Sequence, residues 1–301
     1  MKKKICIVLC LGCIGTVSVV GCSKKILFAN AELIPSSDIP TVETGTRHRT
    51  AERTAKQTGE LVISISQRRN IITIFIENER YILEDTEVVL NKANQAIQTL
   101  EKYKKVFDSK LNILNEYEFN DIVTLENVLS VLQRAEMVMQ IVDEIEKQIA
   151  ELGDDGRLVD MQLEQLIGGI EKEEELIIKD YLLVEDKTPK EIKEEIGNLS
   201  YEDLLKEQNI AKILGYDIFS DFDEAYVYTK GYRIVNKIHR MPATIVDNLA
   251  KSFKSLQHII DATIEELDNV EGIGEVRARN IKSSLKRMQE QFVFDNRVKT
   301  C

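Results

Sequence analysis

The sequence predicts an α+β multidomain protein that is mostly helical, with a partial α/β domain, a helical spine and a C-terminal helix-hairpin-helix domain. Three observations carry this reading. Apolar residues recur every three or four positions through most of 86–180, the period of amphipathic helices. Short β-branched and alternating runs cluster between residues 25 and 83, as strands do. Near the end, Val270-Glu-Gly-Ile-Gly274 sets two glycines around an isoleucine between two helical stretches. We divide the chain into 1–23, a divergent or signal-like apolar start; 24–85, the partial α/β domain; 86–225, the spine; and 226–295, the hairpin domain.

A chain of 301 residues is long enough for two or three domains with their own cores. Its formal net charge of -11 is not that of a simple nucleic-acid binder. The charge is uneven, however: Lys230 to Cys301 carries a net +4 and the remainder -15. A polyanion is therefore expected at the C-terminal end. The absence of tryptophan and the scarcity of aromatics suit a helical protein.

Met1-Lys-Lys-Lys4 and the apolar run from Ile5 to Gly21 have the form of a secretory signal, and Val19-Val-Gly-Cys22 approximates a lipoprotein processing site. Four of the five cysteines fall in this stretch, and Cys301 alone lies beyond it, as suits a reduced compartment. The favoured expectation is a divergent or truncated start of the α/β domain, in which Ile5 to Val20 partly stands in for a buried strand. Export, should residues 1–21 act as a signal, is the alternative.

Lys25 to Asn30 reads as a strand, and Pro35 and Pro40 mark the loop after it. That loop ends in Thr44-Gly-Thr-Arg-His-Arg-Thr-Ala-Glu52. Good helix formers run from Arg47 to Thr58 and stop at Gly59. Arg47, His48 and Arg49, flanked by Thr46 and Thr50, concentrate donors at a helix N-terminus. Free amides and the helix dipole already favour an anion there, and guanidinium forks match phosphate oxygens. Leu61 to Ser66 and Ile71 to Ile76 follow as strands, then Tyr81 to Leu83 after a Glu77-to-Arg80 turn. Gln67-Arg68-Arg69 adds positive charge that a solvated turn explains equally well.

The run TGTRHRTAER, followed by AKQTG and VISISQRRNIIT, closely resembles the diadenylate cyclases, specifically those of the bacterial DNA integrity scanning family. The resemblance covers about residues 24–295 and rests on a long motif of unusual composition. It implies that Thr46, Arg47, His48, Arg49 and Thr50 hold ATP phosphates. It also implies that Leu33 and Ser66 line an adenine pocket. The implied reaction joins two ATP into cyclic di-AMP with release of two pyrophosphates, requires Mg or Mn, and occurs between facing cyclase domains of a homo-oligomer (an octamer in the family). A cytoplasmic, nucleoid-associated protein of the DNA damage response follows, with no membrane partner. The family's metal-binding Asp-Gly-Ala is absent from the sequence; Ile14-Gly15-Thr16 stands near its place, and isoleucine offers no oxygen ligand. Turnover by this chain alone is accordingly expected to be low, the alternative being an inactive DNA- and nucleotide-binding relative.

The spine is expected to begin with a helix from Thr86 to Tyr117, with a break near Asp108-Ser109, and a second helix capped by Thr124. A third, from about Leu158 to Asp180, has a kink at Gly168-Gly169. Glu171 to Glu175 reads as a solvated face. Thr188-Pro-Lys-Glu191 and Thr263-Ile-Glu-Glu266 are capping boxes.

In the last region Gly272 and Gly274 permit a tight turn that turns amides toward a phosphate, Ile273 anchors it, and Arg277, Arg279 and Lys282 supply charge. Such contacts read no bases, so branched or damaged DNA is expected to bind independently of sequence. Ile238 to Asp247 resembles a degenerate first hairpin, with Met241-Pro242-Ala243 in place of the glycines. His239 and His258 read as surface or packing residues.

Overall fold

The computed structural model describes residues 7–11, 16–20, 26–28, 33–66, 71–184, 186–216, 222 and 224–299, those of 7–11, 16–20, 26–28 and 292–299 by their backbone alone. Ile14, the Gln67-to-Arg69 run and all cysteines but Cys10 lie outside the described residues. The chain divides into two compact units: residues 1–92 with 151–155, and residues 93–150 with 156–301.

In the first unit β1 (Ile7–Leu11), β2 (Thr16–Val20), β3 (Ile26–Phe28), β4 (Val62–Ser66), β5 (Ile71–Ile76) and β6 (Glu79–Leu83) form one sheet in the order β3-β2-β1-β4-β5-β6. β1 and β4 are parallel, Val8 opposite Val62, and every other neighbouring pair is antiparallel. Helix α1 (Thr46–Thr58) lies against β4 and β5. Its Ala51 and Ala55 are wholly buried with Val62 and Phe75, and small residues at this spacing let the helix approach the strands closely. Gly59, at φ +71°, ends it.

Among its described residues the second unit has helices and no strand, apart from a single bridge between Thr124 and Tyr226. Its spine comprises α2 (Thr86–Asn120, whose residues to Lys92 count with the first unit), α3 (Leu125–Leu152), α4 (Arg157–Ile167) and α5 (Ile170–Tyr181). Helix α2 runs through Asp108-Ser109 without the expected break. The expected kink at Gly168-Gly169 is a full interruption, because Gly169 sits at φ +89° and α5 starts anew there. Helices α6 (Pro189–Gly197), α7 (Tyr201–Leu204) and α8 (Glu207–Leu214) follow, α6 behind the anticipated capping box at Thr188.

The last five helices are α9 (Tyr232–Asn236), α10 (Ala243–Phe253), α11 (Leu256–Asp261), α12 (Ile264–Asp268) and α13 (Glu275–Lys299). They share one apolar core that includes Ile234, Leu249, Ile259, Leu267, Ile273 and Ile281. A charged knot ties this head to the spine. Arg233 of α9 is wholly buried; its guanidinium pairs with Glu118 and donates to Asn115 Oδ1 at 2.5 Å, both on α2. The Tyr181 hydroxyl donates to Glu118 at 2.7 Å, and Asp180 accepts the amides of Tyr232 at 2.7 Å and Arg233 at 3.0 Å. Burial pushes the Asp180 carboxyl up to about 7, against those donors and the Arg233 charge.

Candidate nucleotide and DNA sites

The phosphate motif occupies the first turn of α1. Gly45 is the N-cap and offers no side-chain cap, and the first amide of the helix to find a backbone partner is Arg49, which donates to Gly45 O at 2.8 Å. The N–H groups of Thr46, Arg47 and His48 have no acceptor among the described residues and so remain for an anion. Arg47 is exposed, whereas Arg49 is half-buried and its Nε has no hydrogen-bond partner among the described residues. Such an orphaned donor is costly unless a ligand takes it. His48 Nδ1 stands 3.1 Å from the Oγ of Ser64, a buried serine of β4, which leaves Nε2 as the available ring nitrogen. Thr50 donates back to Thr46 O at 3.0 Å.

Side chains of α1 also secure the loop that precedes the motif. Glu52 is only 5 % exposed; it accepts from the Thr41 hydroxyl and, at 3.2 Å, from the Val42 amide, while pairing with Lys56 at 2.7 Å. Arg53 and Lys56 donate to the carbonyls of Ile39 at 2.9 Å and Pro40 at 3.0 Å. Leu33 packs on the Ala51–Phe75 cluster, and Ser66 closes β4 opposite Ile71. Ser64 and Glu52 escaped sequence reasoning, since an alternating strand and a helical glutamate give no local signal of such partners.

In the head, two hairpins face a groove of about 750 Å³ lined by His239, Arg240, Met241, Gly274, Val276 and Arg277, among others. Gly272 has φ +83°, and a Cβ there would meet Ile245 Cδ1 at 2.5 Å. Gly274 has open space around it, so its smallness serves the groove rather than the fold. Ile273 is buried in the shared core. Arg277 and Ala278 donate to Gly274 O at 2.8 and 2.9 Å, and the amides of Gly274, Glu275 and Val276 have no acceptor among the described residues. Asn248 holds the turn through Glu271 O at 3.0 Å.

The first hairpin repeats this backbone one residue earlier than expected. Arg240, not Met241, takes the left-handed position at φ +58°; Met241 packs into the core and Pro242 replaces Gly274. Ile245 and Val246 donate to Pro242 O at 3.0 and 3.2 Å, matching the Gly274 pattern. Arg240-Met241-Pro242 is thus the counterpart of Gly272-Ile273-Gly274. His239 is a surface residue, one of its two expected readings, and faces the groove beside Arg240. His258, exposed, turns Nδ1 to Phe253 O at 3.0 Å.

The three expected cations differ in availability. Lys282 is committed to structure, donating to Ile260 O at 2.5 Å and Ala262 O at 2.7 Å, where it satisfies carbonyls at the end of α11. Arg277 closes its own turn on Gly272 O, and Arg279 pairs with Glu275 on an exposed face.

Comparison with known proteins finds relatives for each region of the chain. Residues 15–80 match the nucleotide-binding region of the DisA bacterial checkpoint controller, 83–222 its linker region, and 242–293 a helix-hairpin-helix motif. A DNA integrity scanning protein of Clostridioides difficile (strain 630) is 52% identical over 284 residues, covering 94% of this chain and 80% of its own length. Its counterpart in Acetivibrio thermocellus is 53% identical over 274 residues (91% and 76%), and that of Clostridium kluyveri 52% over 274 (91% and 77%).

The chain belongs to the DNA integrity scanning diadenylate cyclase family. The family's nucleotide-binding match takes in β2 through β5 with α1 and the start of β6, so the arginines and histidine of the first turn lie inside it. The hairpin match begins at Pro242, past the first left-handed turn, which carries no glycine. Among the described residues no helix is long and apolar enough to cross a membrane.

Proposed function

We propose that this chain holds ATP phosphates at the start of α1 and the DNA backbone in the two-hairpin groove, and that branched DNA modulates the condensation of two ATP to cyclic di-AMP. The observation that carries the nucleotide half is the unpartnered Nε of Arg49 beside three free helix amides. Arg47 and Arg49 bind the triphosphate, His48 is held in register by Ser64, and Thr46 and Thr50 border the anion. Leu33 and Ser66 are assigned to adenine. In the head, the amides of Gly274 to Val276 take one phosphate and Arg240 reaches another from the opposite hairpin.

Mg or Mn is implied by the family, yet the described residues do not fit one. No three acidic, histidine or cysteine side chains among them are placed to hold one metal ion, and Glu43 and Glu52 near the motif pair with Arg80 and Lys56 at 2.7 Å. Turnover by this chain alone is expected to be low, and a homo-oligomer or a carboxylate-bearing partner subunit is needed to complete a site. A second reading, nucleotide and DNA binding without catalysis, is favoured by the absence of Asp-Gly-Ala. A nucleoid location accompanies either.

Calorimetry with ATP and purified chain tests the nucleotide site: Arg47→Ala with Arg49→Ala should weaken binding at least tenfold, and unchanged affinity would remove the phosphate role. Following cyclic di-AMP with Mg²⁺ or Mn²⁺, with and without branched DNA, separates the two readings.

A further inference from the structure

The helical unit holds a second charged site that neither binding role uses. Helices α3, α5 and α6 enclose a groove of about 530 Å³. Glu136 and Asp143 face it from α3. Glu171, Lys172 and Glu175 contribute from α5, and Lys190, Lys193 and Glu194 from α6. Five carboxylates thus meet three ammonium groups along the lining.

Two of the carboxylates in this region are buried. Glu136 lines the groove but is only 5 % exposed, and it makes no hydrogen bond or ion pair among the described residues. Glu174, behind it, is wholly buried, and neither of its oxygens has a hydrogen-bond partner among the described residues. Lys193 Nζ lies 3.8 Å from Glu174 Oε2 and 3.8 Å from Glu171 Oε1, too far for a hydrogen bond to either. Burial raises both carboxyls, Glu174 to about 8, helped by the Glu136 charge. Beside Glu136 stands Gly197, where a Cβ would come within 3.7 Å of its Oε2. A buried carboxylate with no partner is costly, and a cation that reaches it recovers that cost.

We propose that this groove binds a linear polyammonium ion, one ammonium on Glu136 and the others along Asp143, Glu171 and Glu175. A divalent metal suits the groove less well. It requires several oxygens converging on one point, and no three acidic, histidine or cysteine side chains do so among the described residues. Lys193 already stands as an ammonium among these carboxylates, which is the geometry that a second ammonium repeats. An ammonium takes carboxylates singly, through three independent donors.

Calorimetric titration of the full chain with spermidine at neutral pH tests this site. One saturable site is expected, weakened at least tenfold by Glu136→Gln and severalfold by Asp143→Asn, and unaffected by Glu144→Gln, an exposed acid on the same helix. Mg²⁺ at matched ionic strength should not displace the spermidine. Glu136→Gln keeps the side-chain shape and removes an unpaired charge. Asp143 is exposed, so its variant folds whatever the buried site requires. Equal affinity in Asp143→Asn and Glu144→Gln, or displacement by Mg²⁺, would reduce the groove to diffuse acidic surface and overturn the proposal.

Discussion

Single residues set the sharpest tests, and the two hairpin glycines differ in what they do. Gly272 needs its left-handed φ, and a side chain there collides with Ile245. Gly272→Ala should therefore destabilise the head by about 1–3 kcal/mol and weaken DNA binding with it. Gly274→Val should leave the melting temperature nearly unchanged and still abolish binding, because only the groove is filled. Comparing thermal unfolding with gel-shift affinity for both variants checks this; a large loss of stability in Gly274→Val would contradict it. Glu174 gives a pH test. Its folded pKa of about 8 lies above the ordinary 4.5, so the native state holds the extra proton between those values. Stability from this group is complete below about pH 4.5 and is lost as pH rises toward 8, by up to about 1.4 kcal/mol per unit. Glu174→Gln should flatten that slope in denaturant melts run from pH 5 to 9, and an unchanged slope would place the proton elsewhere.

Among the elements, α9 and α2 meet through Arg233. The guanidinium is wholly buried and shares its charge with Glu118, while Asp180 receives the first amides of α9. Removing the cation strands Glu118 in the interior, so Arg233→Met should cost about 3–5 kcal/mol. Glu118→Gln with Arg233→Met should recover part of it. A double-mutant cycle by chemical denaturation measures the coupling, and strict additivity would show that the pair does not interact. Helix α1 is organised differently: its Arg53, Lys56 and Glu52 hold the loop of Ile39 to Val42, which leaves the first-turn donors free for a ligand.

At the scale of the whole molecule, the uneven charge accords with the proposed DNA binding by an acidic chain. The net +4 from Lys230 onward stands against -15 over the remainder, so attraction is confined to one end. DNA affinity should fall steeply with salt, and Arg240→Ala should lower the slope of log affinity against log salt by about one, across unrelated sequences alike. A slope identical to that of the parent would exclude Arg240 from phosphate contact.

Local patterns determined much of this protein without tertiary information. The helical period, the capping boxes at Thr188 and Thr263, and the donor-rich turn at Thr46 to Thr50 are written in contiguous residues, because caps and amphipathic stripes depend on neighbours within a turn. The Gly272-Ile273-Gly274 hairpin was legible for the same reason. The first hairpin was misplaced by one residue, since an arginine at positive φ leaves no mark in the sequence as a glycine does. Glu171 to Glu175 read as a solvated run, yet the packing of the helical unit buries Glu174 completely. Lys282 looked like a DNA contact until the end of α11 supplied it with two carbonyls. The sequence alone thus determined which groups are present and in which turns. Only the tertiary structure decided which of them remain free, because partners distant along the chain compete for the same donors.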